Sequence, residues 1–134
     1  MSRVKIRAAL ETALAAMTPA VSTAFQNVAF TPVANVPYQK AEFLWARPTN
    51  DEFGSNWRQD GICQVTLRYP ANAGPGAAGA RADLITATFK RGNSYTSSGV
   101  TVVISDTPEE MPGYDDADRW AVPVRIRFYA HLTA

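Results

Sequence analysis

The fold is decided by two stretches of alternating polarity, Gly61-Ile-Cys-Gln-Val-Thr-Leu-Arg-Tyr69 and Trp120-Ala-Val-Pro-Val-Arg-Ile-Arg-Phe-Tyr129. A period of two residues is typical of a strand with one buried face and one exposed face. The predicted inward residues are Cys63, Val65, Leu67 and Tyr69 in the first stretch, and Trp120, Val122, Val124, Ile126 and Phe128 in the second. The predicted outward residues are Gln64, Thr66 and Arg68 in the first stretch, and Arg125, Arg127 and Tyr129 in the second. The outward faces therefore carry arginine and aromatic side chains but no recognisable catalytic group.

Length and composition predict one globular domain over residues 1–134. The chain has 46% hydrophobic and 19% charged residues, which lies in the ordinary range for such domains. Thirteen Lys and Arg against twelve Asp and Glu give a formal charge of +1, so net charge implies no attraction to nucleic acid or to an anionic membrane. A single cysteine, Cys63, allows no disulfide within the chain and fits synthesis in the cytoplasm.

A first helix of about fifteen residues is predicted between Ser2, a capping residue, and Pro19, which disfavours helix in the residue before it. Its apolar residues follow helical spacing. The basic start and the Ala-rich sequence resemble a signal peptide, but Glu11 interrupts the apolar run and favours a structural helix. No apolar run reaches transmembrane length.

Three further strands are predicted over residues 25–30, 38–47 and 99–104. The polar, turn-forming residues 48–56 join the second of these to the strand that ends at Tyr69, as a hairpin with an extended tip. Loops that are longer than a connection requires tend to be functional or mobile. The hairpin tip (residues 51–56) is therefore a candidate contact element, with a solvated excursion as the alternative.

A second helix is predicted after Asn72-Ala-Gly-Pro-Gly76, and its buried spine consists of Ala78, Ala82, Ile85 and Phe89. Gly92 is expected to provide a left-handed cap. Residues 106–118 are predicted to form a loop before the last strand. The order of helix, strands, helix and strands predicts an α+β fold, a mainly antiparallel sheet with two helices packed on it.

Candidate catalytic and metal-binding groups are few. His131 lies three residues from the end of the chain and Cys63 on an inward face, so their spacing gives no support to a Cys-His pair. Residues 106–118 hold half of the carboxylates, but Asp115-Asp-Ala-Asp118 lacks the alternation and the glycine of an EF-hand loop. The glycines before the second helix do not form a phosphate-binding pattern. We therefore expect neither enzyme activity nor a cofactor or metal.

A single-stranded nucleic-acid-binding module is the alternative function, because Arg68-Tyr69 and the outward face of the last strand place cations beside aromatic rings. The chain lacks the excess of basic residues that such proteins carry. In the structural interpretation, the arginines pair with carboxylates of a neighbouring subunit, where planar geometry favours Arg over Lys.

Eight short segments, taken in order, span nearly the whole chain. They are Ile6-Arg-Ala-Ala-Leu-Glu-Thr12, Phe30-Thr-Pro32, Pro37-Tyr-Gln39, Gly61-Ile-Cys-Gln-Val65, Tyr69-Pro70, Phe89-Lys-Arg-Gly92, Gly99-Val-Thr-Val102 and Asp118-Arg-Trp-Ala-Val-Pro-Val-Arg-Ile-Arg127. In this order they resemble the phage tail terminator-like proteins of tailed bacteriophages and prophages, minor tail proteins similar in role to the minor tail protein U of lambda.

The resemblance implies a small α+β subunit that assembles as a homo-oligomeric ring, expected to be a hexamer, on the finished tail tube. Such a ring stops tube polymerisation and offers a surface for head joining. The implied partners are copies of the chain itself, the major tail tube protein and head-tail connector proteins, with neither membrane nor nucleic acid. The implied location is the virion tail, after synthesis in the host cytoplasm. No catalytic residues carry over from the family.

A closed ring uses heterologous interfaces, in which one patch of a subunit meets a different patch of its neighbour. A carboxylate-rich loop and an arginine-rich strand can serve as complementary halves of such an interface. We therefore predict that residues 109–118 or the hairpin tip make the subunit or tail-tube contact, with the arginines on the opposing surface. The candidate contact residues are Asp51, Glu52, Glu109, Glu110, Asp115, Asp116, Asp118, Arg125 and Arg127.

Overall fold

The structure, a computed structural model, describes residues 3–18, 21–26, 28–50, 53–72 and 74–132. The described residues form two helices and eight strands, and all eight strands belong to one sheet. In chain order these are α1 (Arg3–Ala15), β1 (Ser22–Phe25), β2 (Tyr38–Trp45), β3 (Trp57–Pro70), α2 (Gly76–Thr88), β4 (Ser94–Ser97), β5 (Val100–Ile104), β6 (Glu109–Glu110), β7 (Tyr114–Asp116) and β8 (Arg119–Leu132). The predicted combination of one sheet with two helices is confirmed.

The centre of the sheet is the antiparallel pair of β3 and β8, the two stretches whose alternation stands out in the sequence. They pair over their full length, from Trp57 opposite Leu132 to Pro70 opposite Arg119. The strand order is β1-β2-β3-β8-β5-β4. The β1–β2 pair is parallel, so the sheet is mixed rather than purely antiparallel. Residues 26–37 connect the two parallel strands, which matches the dozen or so residues that a parallel connection needs.

One hydrophobic core lies between the helices and the inner face of the sheet. The residues of β3 and β8 that the alternation predicts to face inward are all in this cluster or packed against it. Helix α1 packs on β4 and β5, and α2 packs on β3 and β8. Neither helix in the described part of the chain is long and apolar enough to cross a membrane.

The buried spine of α2 is confirmed, but its predicted cap is wrong. Ala78, Ala82 and Ile85 are fully buried, and Phe89 is buried at the C-cap position. Gly92 lies beyond the helix with a φ of +90°, and its N–H donates to the carbonyl of Ile104 at 2.9 Å. Gly92 therefore joins the helix to the following hairpin instead of closing the helix. The predicted flanking residues of α1, Ser2 and Pro19, lie outside the described residues.

Arg81, buried on α2, is linked to the parallel edge of the sheet. Its Nε donates to Gln39 Oε1 at 3.4 Å, and the Nε2 of Gln39 donates to Thr23 Oγ1 at 3.0 Å. Burial lowers the pKa of Arg81, and the nearby Tyr69 opposes this shift. These contacts connect α2, β2 and β1 through the buried side chains of Arg81 and Gln39 and the partly buried Thr23, and they hold the parallel strand beside β2.

Strands β1 and β2 differ from their predicted bounds, and three strands, β4, β6 and β7, are missing from the prediction. The strand predicted at 25–30 is β1, which ends at Phe25, and Phe30 lies in the following loop against the ring of Tyr38. Strand β2 ends at Trp45, two residues earlier than predicted. The unpredicted β4 pairs with β5 through a two-residue turn in which both Ser98 and Gly99 have positive φ, the turn type that hairpins favour.

The acidic segment 106–118 is not a free loop, so that prediction is wrong. Strands β7, β6 and β5 occupy successive parts of the same edge of β8, opposite residues 119–121, 124–125 and 128–130. Together they form one interrupted strand. The interruptions contain Pro108, Pro112 and Gly113, and a proline has no N–H to continue a strand ladder.

Candidate assembly surface

The outer face of the sheet, opposite the helices, carries the two arginines predicted as contact residues. Arg125 lies opposite Gln64 of β3, and Arg127 lies opposite Ile62. Both arginines alternate with buried residues of β8, because successive side chains of a strand point to opposite faces. Their predicted orientation is confirmed.

Glu109 and Arg127 form an ion pair within one subunit. The Nη1 of Arg127 lies 3.1 Å from Oε1 of Glu109. Glu109 is also the Cα partner of Arg125, since β6 runs beside β8. Glu109 and the two arginines are therefore neighbours on the outer face, whereas Glu110 and Asp115 lie opposite the inward residues Val124 and Trp120. Both side chains of the ion pair remain exposed to solvent, and such pairs contribute only about 0–1 kcal/mol to stability.

The other predicted contact residues include some that are bonded within the subunit and some that face solvent. Arg125 donates from Nε to Gln64 Oε1 at 3.1 Å. Glu110, Asp115 and Asp118 are exposed, and no ion pair among the described residues includes them. These three carboxylates direct their charge into solvent. The predicted contact residues Asp51 and Glu52 lie outside the described residues.

Asp116 is bonded within the subunit, to Arg68 of β3. The pair ties β7 to β3 across the intervening β8. Burial alone would lower the pKa of Arg68, but the hydrogen bond to Asp116, together with the charges of Tyr38, Asp116 and Tyr114, raises it above the ordinary arginine value. Arg68 is therefore charged at all accessible pH values, and its first partner is internal.

The hairpin tip presents an aromatic ring. Thr49 and Arg58 close the base of the tip through two backbone hydrogen bonds, of 2.9 and 2.8 Å. Phe53 is fully exposed, and the next residue, Gly54, has a φ of +107°. Sequence reasoning singled out the tip for its length and missed Phe53. The sequence feature that could have revealed it is the presence of an aromatic residue within an otherwise polar turn.

A charge-free loop at the opposite end of β2 is also exposed. Residues 28–36 contain three exposed valines and no charged residue. Arg119 is buried and donates from its two terminal nitrogens to the carbonyls of Val36 and Val33, the latter at 2.7 Å, while its guanidinium lies 5.0 Å from the ring centre of Tyr38. Arg119 thus fixes two carbonyl groups of this exposed, charge-free loop to the start of β8. Sequence reasoning missed both Arg119 and the loop.

The described residues provide little for catalysis. Cys63 is buried on the inner face, and burial raises the pKa of its thiol to about 12, with Glu11 adding to the shift and Arg7 opposing it. His131 is exposed, with its ring edge-on to Tyr129 at 5.7 Å. The thiol and the imidazole lie on opposite faces of the sheet. No group of three or more His, Cys, Asp or Glu in the described ranges could hold a metal ion.

The aromatic residues that suggested nucleic-acid binding are largely occupied within the subunit. Tyr69 is half-buried against the core. The guanidinium of Arg58 covers the ring of Tyr129, 4.1 Å from its centre. A single-strand binder needs open aromatic faces on which bases stack, and these two rings do not provide a row of such faces.

Comparisons with known proteins identify the family. Residues 5–128 match the family model described as phage tail terminator protein. One solved structure with 27% sequence identity is similar over 100% of this chain and 98% of its own, with a TM-score of 0.79. No curated protein sequence matches the chain. The family is one of structural proteins of the phage tail, which implies a location in the virion tail. The predicted resemblance is confirmed, and the chain belongs to the phage tail terminator protein family.

Proposed function

We propose that residues 1–134 form a single tail terminator-like domain that assembles as a homo-oligomeric ring, a hexamer, on the end of the tail tube. The ring stops tube polymerisation and prepares the tail for head joining. The observation that carries this proposal is the match of residues 5–128 to the tail terminator family. Its partners are copies of itself, the major tail tube protein and head-tail connector proteins.

The proposed contacts lie on the outer face of the sheet and at the hairpin tip. Glu109 lies on the same outer face as Arg125 and Arg127, whereas the exposed Glu110 and Asp115 lie opposite Val124 and Trp120, at the edge of the other face. A surface that carries both signs of charge restricts the orientation in which a partner can bind. The formal charge of +1 keeps repulsion between copies small.

Deletion of the gene from the phage or prophage that encodes it tests the role as a terminator. Electron microscopy of the lysate should show overlong tubes without heads, and the wild-type gene supplied in trans should restore tails of normal length. Tails of normal length joined to heads in the deletion strain would reject the proposed function. Electron-microscopy class averages of the tail end from the complemented strain provide a separate test, because a hexamer should show sixfold symmetry.

A further inference from the structure

Phe53 is a large apolar side chain with no partner in the described part of its own subunit. It is fully exposed at the hairpin tip, and no aromatic contact among the described residues includes it. Exposed aromatic rings are unfavourable in water and are enriched at the centres of protein interfaces. The ring is therefore a candidate anchor for a partner.

A cavity of about 250 Å³ lies at the opposite end of the sheet. It is lined by Trp120, Pro75 and Asp115, together with Asn72 and Gly74. The indole of Trp120 packs closely against Gly113, where a Cβ atom would come within 2.3 Å of it. We call this the Trp120 pocket. It is mostly apolar and has room for one aromatic ring.

The hairpin tip cannot reach the Trp120 pocket of its own subunit. The tip precedes Trp57, the first residue of β3, whereas Trp120 lies opposite Tyr69, near the last residue of that strand. Twelve strand residues separate these positions by roughly 40 Å at the usual rise per residue. A ring and a cavity at different places on one chain make a heterologous contact, which is the type that closes rings.

The charges around the two elements make one favourable and one unfavourable contribution to this pairing. Asp51 and Glu52 immediately precede Phe53 in the sequence. The pocket lies at the start of α2, whose N-cap, Pro75, makes no side-chain hydrogen bond, and whose first turn has no acidic residue. The free N–H groups of a helix start attract carboxylates. The exposed Asp115 opposes them, so insertion of the ring has to supply most of the affinity.

We propose that Phe53 of each subunit inserts into the Trp120 pocket of the next subunit in the ring. This proposal rests on the proposed ring assembly, and it names the contact that joins neighbouring copies. The partner is a second copy of the chain, because the exposed ring of Phe53 and the Trp120 pocket are both present on it, at opposite ends of the β3–β8 pair.

A photoreactive residue at the tip identifies what Phe53 touches. Phe53→benzoylphenylalanine is introduced into the full chain, and tails from the complemented deletion strain are purified and irradiated. The expected product is a covalent dimer of this chain, with the linked peptide mapped to residues 72–75 or to Trp120. A product with the tube protein, a link to another part of the subunit, or no product from tails that carry a terminal ring would overturn the proposal.

A cysteine pair gives an independent measurement. Phe53→Cys combined with Asn72→Cys at the pocket should form a disulfide-linked ladder of subunits on tails, whereas Phe53→Cys combined with Ser94→Cys on the edge strand β4 should not. The native Cys63 is buried and does not compete. Equal ladders from both pairs, or none from either on ringed tails, would count against the contact.

The failure of this contact is distinguishable from failure of the proposed function. Tails that end in a ring but give no Phe53 adduct reject only the contact. If the photoreactive or cysteine substitutions at the tip prevent assembly, complementation of the deletion strain provides the test. We expect Phe53→Tyr to restore phage yield and Phe53→Ser to lower it by at least about tenfold. The melting temperature of the purified Phe53→Ser protein should equal that of the wild type. Full complementation by Phe53→Ser would overturn the proposal.

Discussion

Cys63 illustrates at the residue scale how burial controls chemistry. Its thiol has a pKa of about 12 in the fold, against an ordinary value of 9.0. At pH 8 the reactive thiolate is therefore rarer by roughly a thousandfold than in the unfolded chain. We expect a maleimide to label Cys63 in denaturant but not in the native protein, as followed by mass spectrometry. Labelling at similar rates in both states would contradict this arrangement.

Arg119 anchors the exposed valine loop through two carbonyl groups. We expect Arg119→Met to destabilise the protein by about 1–3 kcal/mol, since two partly buried carbonyl acceptors lose a charged donor. Urea denaturation measures this cost, and hydrogen exchange should rise in residues 33–36. Arg125→Met, on the exposed face of the same strand, is the matched control and should change stability by less than about 0.5 kcal/mol. Equal effects of the two substitutions would contradict the anchoring role.

Glu11 makes stability depend on pH. Burial raises its pKa above the ordinary value, and the charge of Arg7 opposes the shift only in part. The folded state thus holds the proton more tightly than the unfolded state, so ionisation of Glu11 costs stability as pH rises through the folded-state pKa. We expect Glu11→Gln to raise the melting temperature at pH 7 and to have no effect below about pH 4, where the native carboxyl is neutral. A difference independent of pH would reject this explanation.

At the scale of elements, the packing of β3 between its neighbours depends on Gly61. A Cβ at this position would lie 2.7 Å from the Cζ of Phe128 and 2.9 Å from the carbonyl oxygen of Leu44. We expect Gly61→Ala to cost about 1–3 kcal/mol in urea denaturation, because the ring and the strand must move apart. Gly79→Ala in α2 is the control, since no atom lies within 4 Å of its Cβ. That helical substitution should stabilise the protein by up to about 1 kcal/mol.

The elements that sequence reasoning found are those with a strong internal pattern. Strands β3 and β8 alternate over many residues, and the spine of α2 repeats at helical spacing, so each can be read without its neighbours. The elements that it missed, β4, β6 and β7, are two to four residues long and mostly exposed. They are strands because β5 and β8 provide hydrogen-bonding partners. A pattern within the segment cannot reveal a partner that is distant in sequence.

At the scale of the whole molecule, charge reversal of the Glu109–Arg127 pair distinguishes effects on stability from effects on assembly. Arg127→Glu alone places two carboxylates together, whereas Glu109→Lys with Arg127→Glu restores the internal pair with each charge reversed. We expect the charge-swapped protein to melt within about 0.5 kcal/mol of the wild type but to complement the deletion poorly. Differential scanning calorimetry and tail-length distributions measure the two effects. Complementation at the wild-type level would remove Glu109 and Arg127 from the proposed contact.

The sequence by itself determined the two central strands, the inward and outward sets of their residues, the spine of α2 and the α+β class, because alternation and helical spacing are properties of a continuous segment. Only the tertiary structure decided that β1 pairs in parallel, that the acidic segment lies along the edge of β8, and that Glu109 meets Arg127 within one subunit. It also decided that Phe53 and the Trp120 pocket lie at opposite ends of the sheet. These are relations between residues far apart in the chain, and strand register, not local pattern, sets them.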